Sequence, residues 1–178
     1  MAEKMKKDAA ELPGTSREAE EQQLAYVIDI AQEHLVQARK AIREANEDLA
    51  DLMEVYDAKD KEGLTLWKEY KQNMVRLEKA RKKPYFGRID FLAEEKQQKE
   101  AYYIGRVGIS GDDAQPLVLD WRAPIASVYY ENGLGPCSYT VLSEGTHTID
   151  LERKRTYEIE NDRLKDYFDS DVVANDEL

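Results

Sequence analysis

Leu24, Ile28, Ala31, Leu35, Ala38, Ile42, Ala45, Leu49, Leu52 and Tyr56 recur in an unbroken alternation of four and three, with no glycine or proline between them. That spacing is the apolar seam of a coiled-coil helix. One row of the seam holds Ile28, Leu35, Ile42, Leu49 and Tyr56, and the other holds Leu24, Ala31, Ala38, Ala45 and Leu52. Three alanines in successive heptads let a partner helix approach near the short end of the ~8–10 Å interaxial range. Thr15 followed by Glu18 reads as a capping box, which predicts a helix from Ser16 to about Ala58, preceded by a fraying start over Met1 to Gly14.

Apolar residues vanish over Asp57-Ala58-Lys59-Asp60-Lys61-Glu62-Gly63, the expected turn. A second helix follows from about Leu64 to Lys83, with Trp67, Tyr70, Met74 and Leu77 keeping the same spacing. Pro84 stops it, and Lys79, Arg81, Lys82 and Lys83 suit the negative end of its dipole. At 1.5 Å per residue the two helices measure about 60 Å and about 30 Å. The second therefore covers the first from roughly Ile42 outward. The near half, Leu24 to Leu35, is expected to pack on a globular domain or on another part of the protein.

Beyond Pro84 the period changes to two. Phe86 to Leu92, Ala101 to Ser110, Leu117 to Trp121, Ile125 to Tyr130, Tyr139 to Leu142, Thr146 to Ile159 and Leu164 to Phe168 read as strands. Gly111-Asp112-Asp113, Asn132-Gly133, Gly135-Pro136 and Asn161-Asp162 punctuate them as turns, the last as a two-residue hairpin turn. The expected class is α+β. A long antiparallel two-helix coiled-coil arm (16–83) follows a flexible start (1–15) and precedes a small antiparallel β-sheet or open-barrel domain (84–178).

Composition narrows the function. Among 178 residues, 37 Asp and Glu outweigh 26 Lys and Arg, for a net charge of −11. So acidic a surface repels phosphate backbones and disfavours strong nucleic-acid binding by this chain alone. The single cysteine, Cys137, allows no intrachain disulfide. With no signal peptide and no apolar run of the ~20 residues a membrane span needs, a cytoplasmic protein away from the membrane is expected.

Two runs are candidates for chemistry or recognition. Asp120-Trp121-Arg122-Ala123-Pro124 presents a carboxylate and a guanidinium at a strand end. It is either a recognition element or a structural corner in which Asp120 pairs with Arg122 and Trp121 fills the core. Asp57, Asp60 and Glu62 gather carboxylates at the far end of the arm, suited to approaching a metal centre on another protein or to solvation alone. His34 and His147 lack companions at metal-ligand spacing, Cys137 lacks an activating base, and no phosphate-binding loop is present. Neither a catalytic site nor a metal or cofactor site is expected here.

Pro84-Tyr85-Phe86-Gly87-Arg88-Ile89-Asp90-Phe91, then Tyr103-Ile104-Gly105, Asp120-Trp121-Arg122-Ala123-Pro124-Ile125 and Tyr129-Tyr130 occur in order. Together with the arm they resemble the N-terminal region of the HelD family, helicase-like ATPases related to the UvrD/Rep superfamily. The resemblance implies that the chain is an N-terminal fragment of such a protein. ATP and Mg²⁺ would then belong to the C-terminal ATPase domains of the parent. It further implies core RNA polymerase as partner, with the arm inserted into the secondary channel and its acidic tip near the active centre. Pro84, Tyr85, Phe86, Gly87, Arg88, Asp120, Trp121, Arg122 and Pro124 would be structural or coupling residues. Outside the resemblance, the competing readings are a coiled-coil oligomerisation module and a nucleic-acid-binding accessory domain of a DNA helicase.

Overall fold

A computed structural model describes residues 12–55, 61–131 and 133–170, the side chains of 48–55 and 61–67 excepted. Helix α1 (Arg17–Val55) is 39 residues long. Its start is set by Ser16, whose Oγ accepts the backbone N–H of Ala19 at 3.1 Å. Ser16, and not Thr15, is thus the N-cap, because a cap side chain serves donors only two or three residues ahead. Helix α2 (Lys61–Lys82) includes Gly63, which the sequence pattern placed in the turn. One glycine costs a helix only about 1 kcal/mol, too little to fix a boundary. The turn itself lies outside the described residues.

The helices touch through a buried cluster of Leu35, Ala38 and Leu77, with Met74 packed against it. Arg81 donates to Gln32 at 3.3 Å and Arg39 to Glu78 at 3.3 Å. Helix α2 therefore reaches back along α1 to Gln32, farther than the expected limit at Ile42. Beneath that, α1 packs on the sheet, as the pattern required of its near half. Leu24, Val27, Ile30 and Ala31 share a core with Tyr85, Tyr103, Val118, Tyr157 and Ile159. The buried stripe is wider here than the seam, since Val27 and Ile30 join it from outside the four-three positions.

The seven strands are β1 (Gly87–Ala93), β2 (Gln98–Gly105), β3 (Ile109–Ser110), β4 (Pro116–Asp120), β5 (Gly135–Val141), β6 (Gly145–Glu160) and β7 (Arg163–Asp169). They form one sheet in the order β3-β4-β2-β1-β6-β5, with β7 also pairing β6. The class is α+β, but the sheet is mixed: β2 and β4 run parallel, while the other pairs are antiparallel. The parallel pair arises because the expected strand Ala101 to Ser110 breaks at Arg106-Val107-Gly108. Strand β4 then returns between β2 and β3. Asn161 and Asp162 turn the β6–β7 hairpin with φ of 47° and 62°, the left-handed pair that a two-residue type I′ turn demands.

The expected strand Ile125 to Tyr130 is helical instead. Pro124 opens a 3₁₀ turn (Pro124–Ala126) that runs into α3 (Ser127–Glu131). Proline supplies the helical φ, and the Ser127 hydroxyl closes on the Pro124 carbonyl at 2.7 Å. Burial of Ala126, Val128 and Tyr129 against the sheet outweighs the β preference of these side chains.

Strand β6 serves both faces of the sheet. Its pairing with β1 shifts register between Asp90 and Phe91, which face Arg153 and Leu151, leaving Glu152 as the extra residue. Before this bulge, Ile149 and Leu151 join Ile89, Phe91, Ile104 and Tyr129 in a second core, beneath the 3₁₀ turn and α3. After it, Tyr157 and Ile159 join the core under α1.

Candidate functional site: a buried charge joint and an exposed aromatic corner

Helix α1 is bolted to the sheet through a charge. Glu20 is 0% exposed and lies one turn before Leu24 on the buried stripe. Its carboxylate accepts the Tyr103 hydroxyl at 2.5 Å, the Arg155 guanidinium at 2.8 Å and the Tyr157 hydroxyl. Arg88, also 0% exposed, lies 3.6 Å from the same carboxylate. A buried carboxylate persists only when its lone pairs are met in this way.

Each arginine also binds elsewhere. Arg88 donates to Asp90 at 2.7 and 3.0 Å and to the carbonyls of Pro13 and Gly14 at 2.7 and 2.6 Å. Arg155 holds the Asp169 carboxylate at 2.6 and 2.9 Å and the Thr15 carbonyl at 2.7 Å. The chain leading into α1, including Pro13 and Gly14 from the expected fraying segment, is therefore tied to the sheet. Hydrogen bonds from Arg155 hold the Asp169 carboxyl below its ordinary range. Burial, then the neighbouring Tyr103 and Glu20, pushes the Tyr157 hydroxyl far above the ordinary tyrosine value.

Tyr85, Tyr103 and Tyr157 pack round this joint with ring centroids 4.5 to 5.8 Å apart. Of the motif Pro84-Tyr85-Phe86-Gly87-Arg88, the structure therefore sends Tyr85 and Arg88 to the joint. Phe86 and Gly87 go to the opposite core, where a Cβ on Gly87 would stand 2.6 Å from the Tyr129 ring. The Pro84 carbonyl lies against Gly105, leaving no room there for a side chain.

The second motif forms a corner at the end of β4. Arg122 grips Asp120 through Nε at 3.0 Å and Nη2 at 2.9 Å, and its backbone N–H adds a bond at 2.9 Å. Those hydrogen bonds lower the Asp120 pKa. The pairing agrees with the corner reading, but the place expected for Trp121 does not. Trp121 is 47% exposed, because β4 ends at Asp120 and Trp121 and Arg122 already lie in the turn that follows. It meets Tyr130 edge-on at 6.4 Å, and Tyr130 packs on Tyr129 and Phe86. The two motifs thus converge through Phe86, while Pro124 starts the helical turn that presents Tyr129 and Tyr130.

Asp57 and Asp60 lie outside the described residues, and Glu62 is in α2 with its side chain undescribed. His147 stacks on Tyr139 and faces Glu95 and Glu144 at 3.2 and 3.0 Å. Among the described residues, no three His, Cys, Asp or Glu side chains gather as a metal site would need. Burial raises the pKa of the Cys137 thiol, which makes it a poorer nucleophile. Glu20 and Arg155 escaped the sequence reading. The available signal was a carboxylate at helical spacing before Leu24 and an arginine in phase with Tyr157 and Ile159.

Among the described residues, no helix is long and apolar enough to cross a membrane. Comparison with curated proteins finds no match. The family model described as "DNA helicase IV HelD, N-terminal domain" matches residues 17–177, taking in α1, both motifs and the whole sheet. The chain belongs to the HelD N-terminal domain family.

Proposed function

We propose that this chain is the polymerase-docking part of a HelD-like helicase. Helices α1 and α2 would form an antiparallel two-helix coiled-coil arm that enters the secondary channel of core RNA polymerase and helps remodel or recycle the enzyme. Asp57, Asp60 and Glu62 would sit at its tip. The chain itself hydrolyses nothing in this reading. ATP and Mg²⁺ act in the C-terminal ATPase domains of the parent, and the complex works in the cytoplasm.

The carrying observation is the anchorage of α1. A 39-residue helix spans about 58 Å at 1.5 Å per residue. Its first turns are fixed to the sheet by Glu20, Leu24 and Val27, whereas beyond Ala38 its described residues are half-buried or exposed. A helix rigidly rooted at one end and backed by a second helix is a lever. The net charge of −11 suits a basic channel better than a nucleic acid.

Co-migration with purified core polymerase tests the reading. Binding at low salt that weakens as salt rises is expected for charge-guided docking. Replacing Asp57, Asp60 and Glu62 by alanine in the parent protein should impair its effect on transcription more than its affinity for polymerase. No co-migration at low salt, or a saturable shift of duplex DNA by this chain at moderate salt, would overturn the proposal.

A further inference from the structure

One side chain away from both motifs meets a carboxylate at each end. His147 on β6 stacks on Tyr139, its cross-strand partner on β5, with ring centroids 5.2 Å apart and planes inclined by 24°. Its Nδ1 lies 3.2 Å from the Glu95 carboxylate, and its Nε2 lies 3.0 Å from the Glu144 carboxylate. Glu95 belongs to the turn between β1 and β2, and Glu144 to the turn between β5 and β6. The two turns share one rim of the sheet, because β1 and β6 are neighbours and Ala93 pairs with Ile149. The imidazole therefore bridges segments that the backbone does not join.

The donor count decides which form of the ring the bridge needs. A carboxylate only accepts hydrogen bonds. Neutral imidazole has one N–H and one bare lone pair, so it serves one carboxylate and opposes the other. The imidazolium donates to both, and its charge then lies between two negative groups. The His147 side chain is 21% exposed and backed by Tyr139, whereas Glu95 and Glu144 are 58% and 63% exposed and free to swing into water. The other groups facing the ring oppose nothing in this scheme. Burial, then Glu100, Glu95 and Glu144, raises the pKa of the Tyr139 hydroxyl, which stays neutral. Lys96, on the same turn as Glu95, is directed to Glu100 at 4.0 Å.

We infer that His147 is a proton-operated clasp between the β1–β2 and β5–β6 turns. With the proton on, one ring holds both turns, and Leu142, wholly exposed beside Glu144, rides on a fixed rim. With the proton off, two tautomers share a single N–H, and each turn is held only part of the time. Imidazole changes charge between about pH 5 and 8, so mild acidification stiffens the rim. In stronger acid the carboxylates are themselves protonated and the clasp opens again. Both carboxylates are more than half exposed, so the device governs these turns and adds little to global stability. It is separate from the proposed arm tip and does not depend on polymerase docking.

Nuclear magnetic resonance of the ¹⁵N-labelled chain tests this. From about pH 8 down to about pH 5.5, the heteronuclear NOE of the amides at 94–97 and 142–144 should rise together, with the midpoint of the His147 ring signals. His147→Gln should abolish the rise in both turns, and His34→Gln, which removes the only other histidine, should leave it intact. Glu144→Ala separates a clasp from a simple ion pair. Neutral imidazole then keeps its one N–H on Glu95, so the β1–β2 turn should stay rigid across the range and lose most of its pH dependence. Glu95→Ala should do the same for the β5–β6 turn. Should His147→Gln fail to fold, these two changes on exposed turns carry the test alone. Three results would overturn the inference: no change in either turn across the range, a rise that survives His147→Gln, or an undiminished pH dependence of the β1–β2 turn in Glu144→Ala.

Discussion

Glu20 shows how much a single residue decides. Read in the sequence it is one more acid in the charged first turn of a helix, where Glu18 and Glu21 are ordinary surface residues. In the fold it is the point on which Arg88, Arg155, Tyr103 and Tyr157 converge. Removing one partner of a buried ion pair leaves the others uncompensated, at a cost of about 3–5 kcal/mol. Glu20→Ala should lower unfolding stability by that order in urea titration, whereas Glu21→Ala should stay within about 0.5 kcal/mol. Asp169 supplies a pH dependence. Its folded carboxyl is held below the ordinary value of about 3.9 by Arg155, so it binds protons less readily than in the unfolded chain. Its contribution is therefore complete above that value and is lost as pH falls through the depressed one. Asp169→Asn should lower the melting temperature at neutral pH and flatten the acid limb of a plot of Tm against pH.

At the scale of elements, the two helices were legible because period and punctuation agree. Leu24, Ala31, Leu35 and Ala38 are buried as the four-three spacing requires, and Pro84 lies just beyond α2. Leu35 is 0% exposed between α1 and α2, so Leu35→Ala should cost about 2–5 kcal/mol. Circular dichroism should show the loss as earlier melting of helix, with Val36→Ala, on the exposed side, nearly silent. The strands were less legible. Ile125, Val128, Tyr129 and Tyr130 favour a strand locally, yet Pro124 and burial on the sheet make them helical. Strict alternation puts Ile149, Leu151, Arg155, Tyr157 and Ile159 on one face, and the bulge at Glu152 divides them between two cores.

For the whole molecule, the part of the stripe from Leu24 to Ala38 is consumed within the chain, by the sheet near Leu24 and by α2 near Leu35. Light scattering should therefore report a monomer whose mass does not change with concentration, and a net charge of −11 favours the same outcome by repulsion. A dimer would restore the oligomerisation reading. The sequence alone determined the class, the two long helices, most strand positions and the HelD resemblance, because local periodicity, turn residues and short ordered motifs are properties of neighbours along the chain. The tertiary structure alone decided that Glu20 is a joint, that Trp121 faces outward, that β2 and β4 run parallel and that β6 changes face. Each of these depends on groups brought together from distant positions, where burial and charge pairing outweigh local preference.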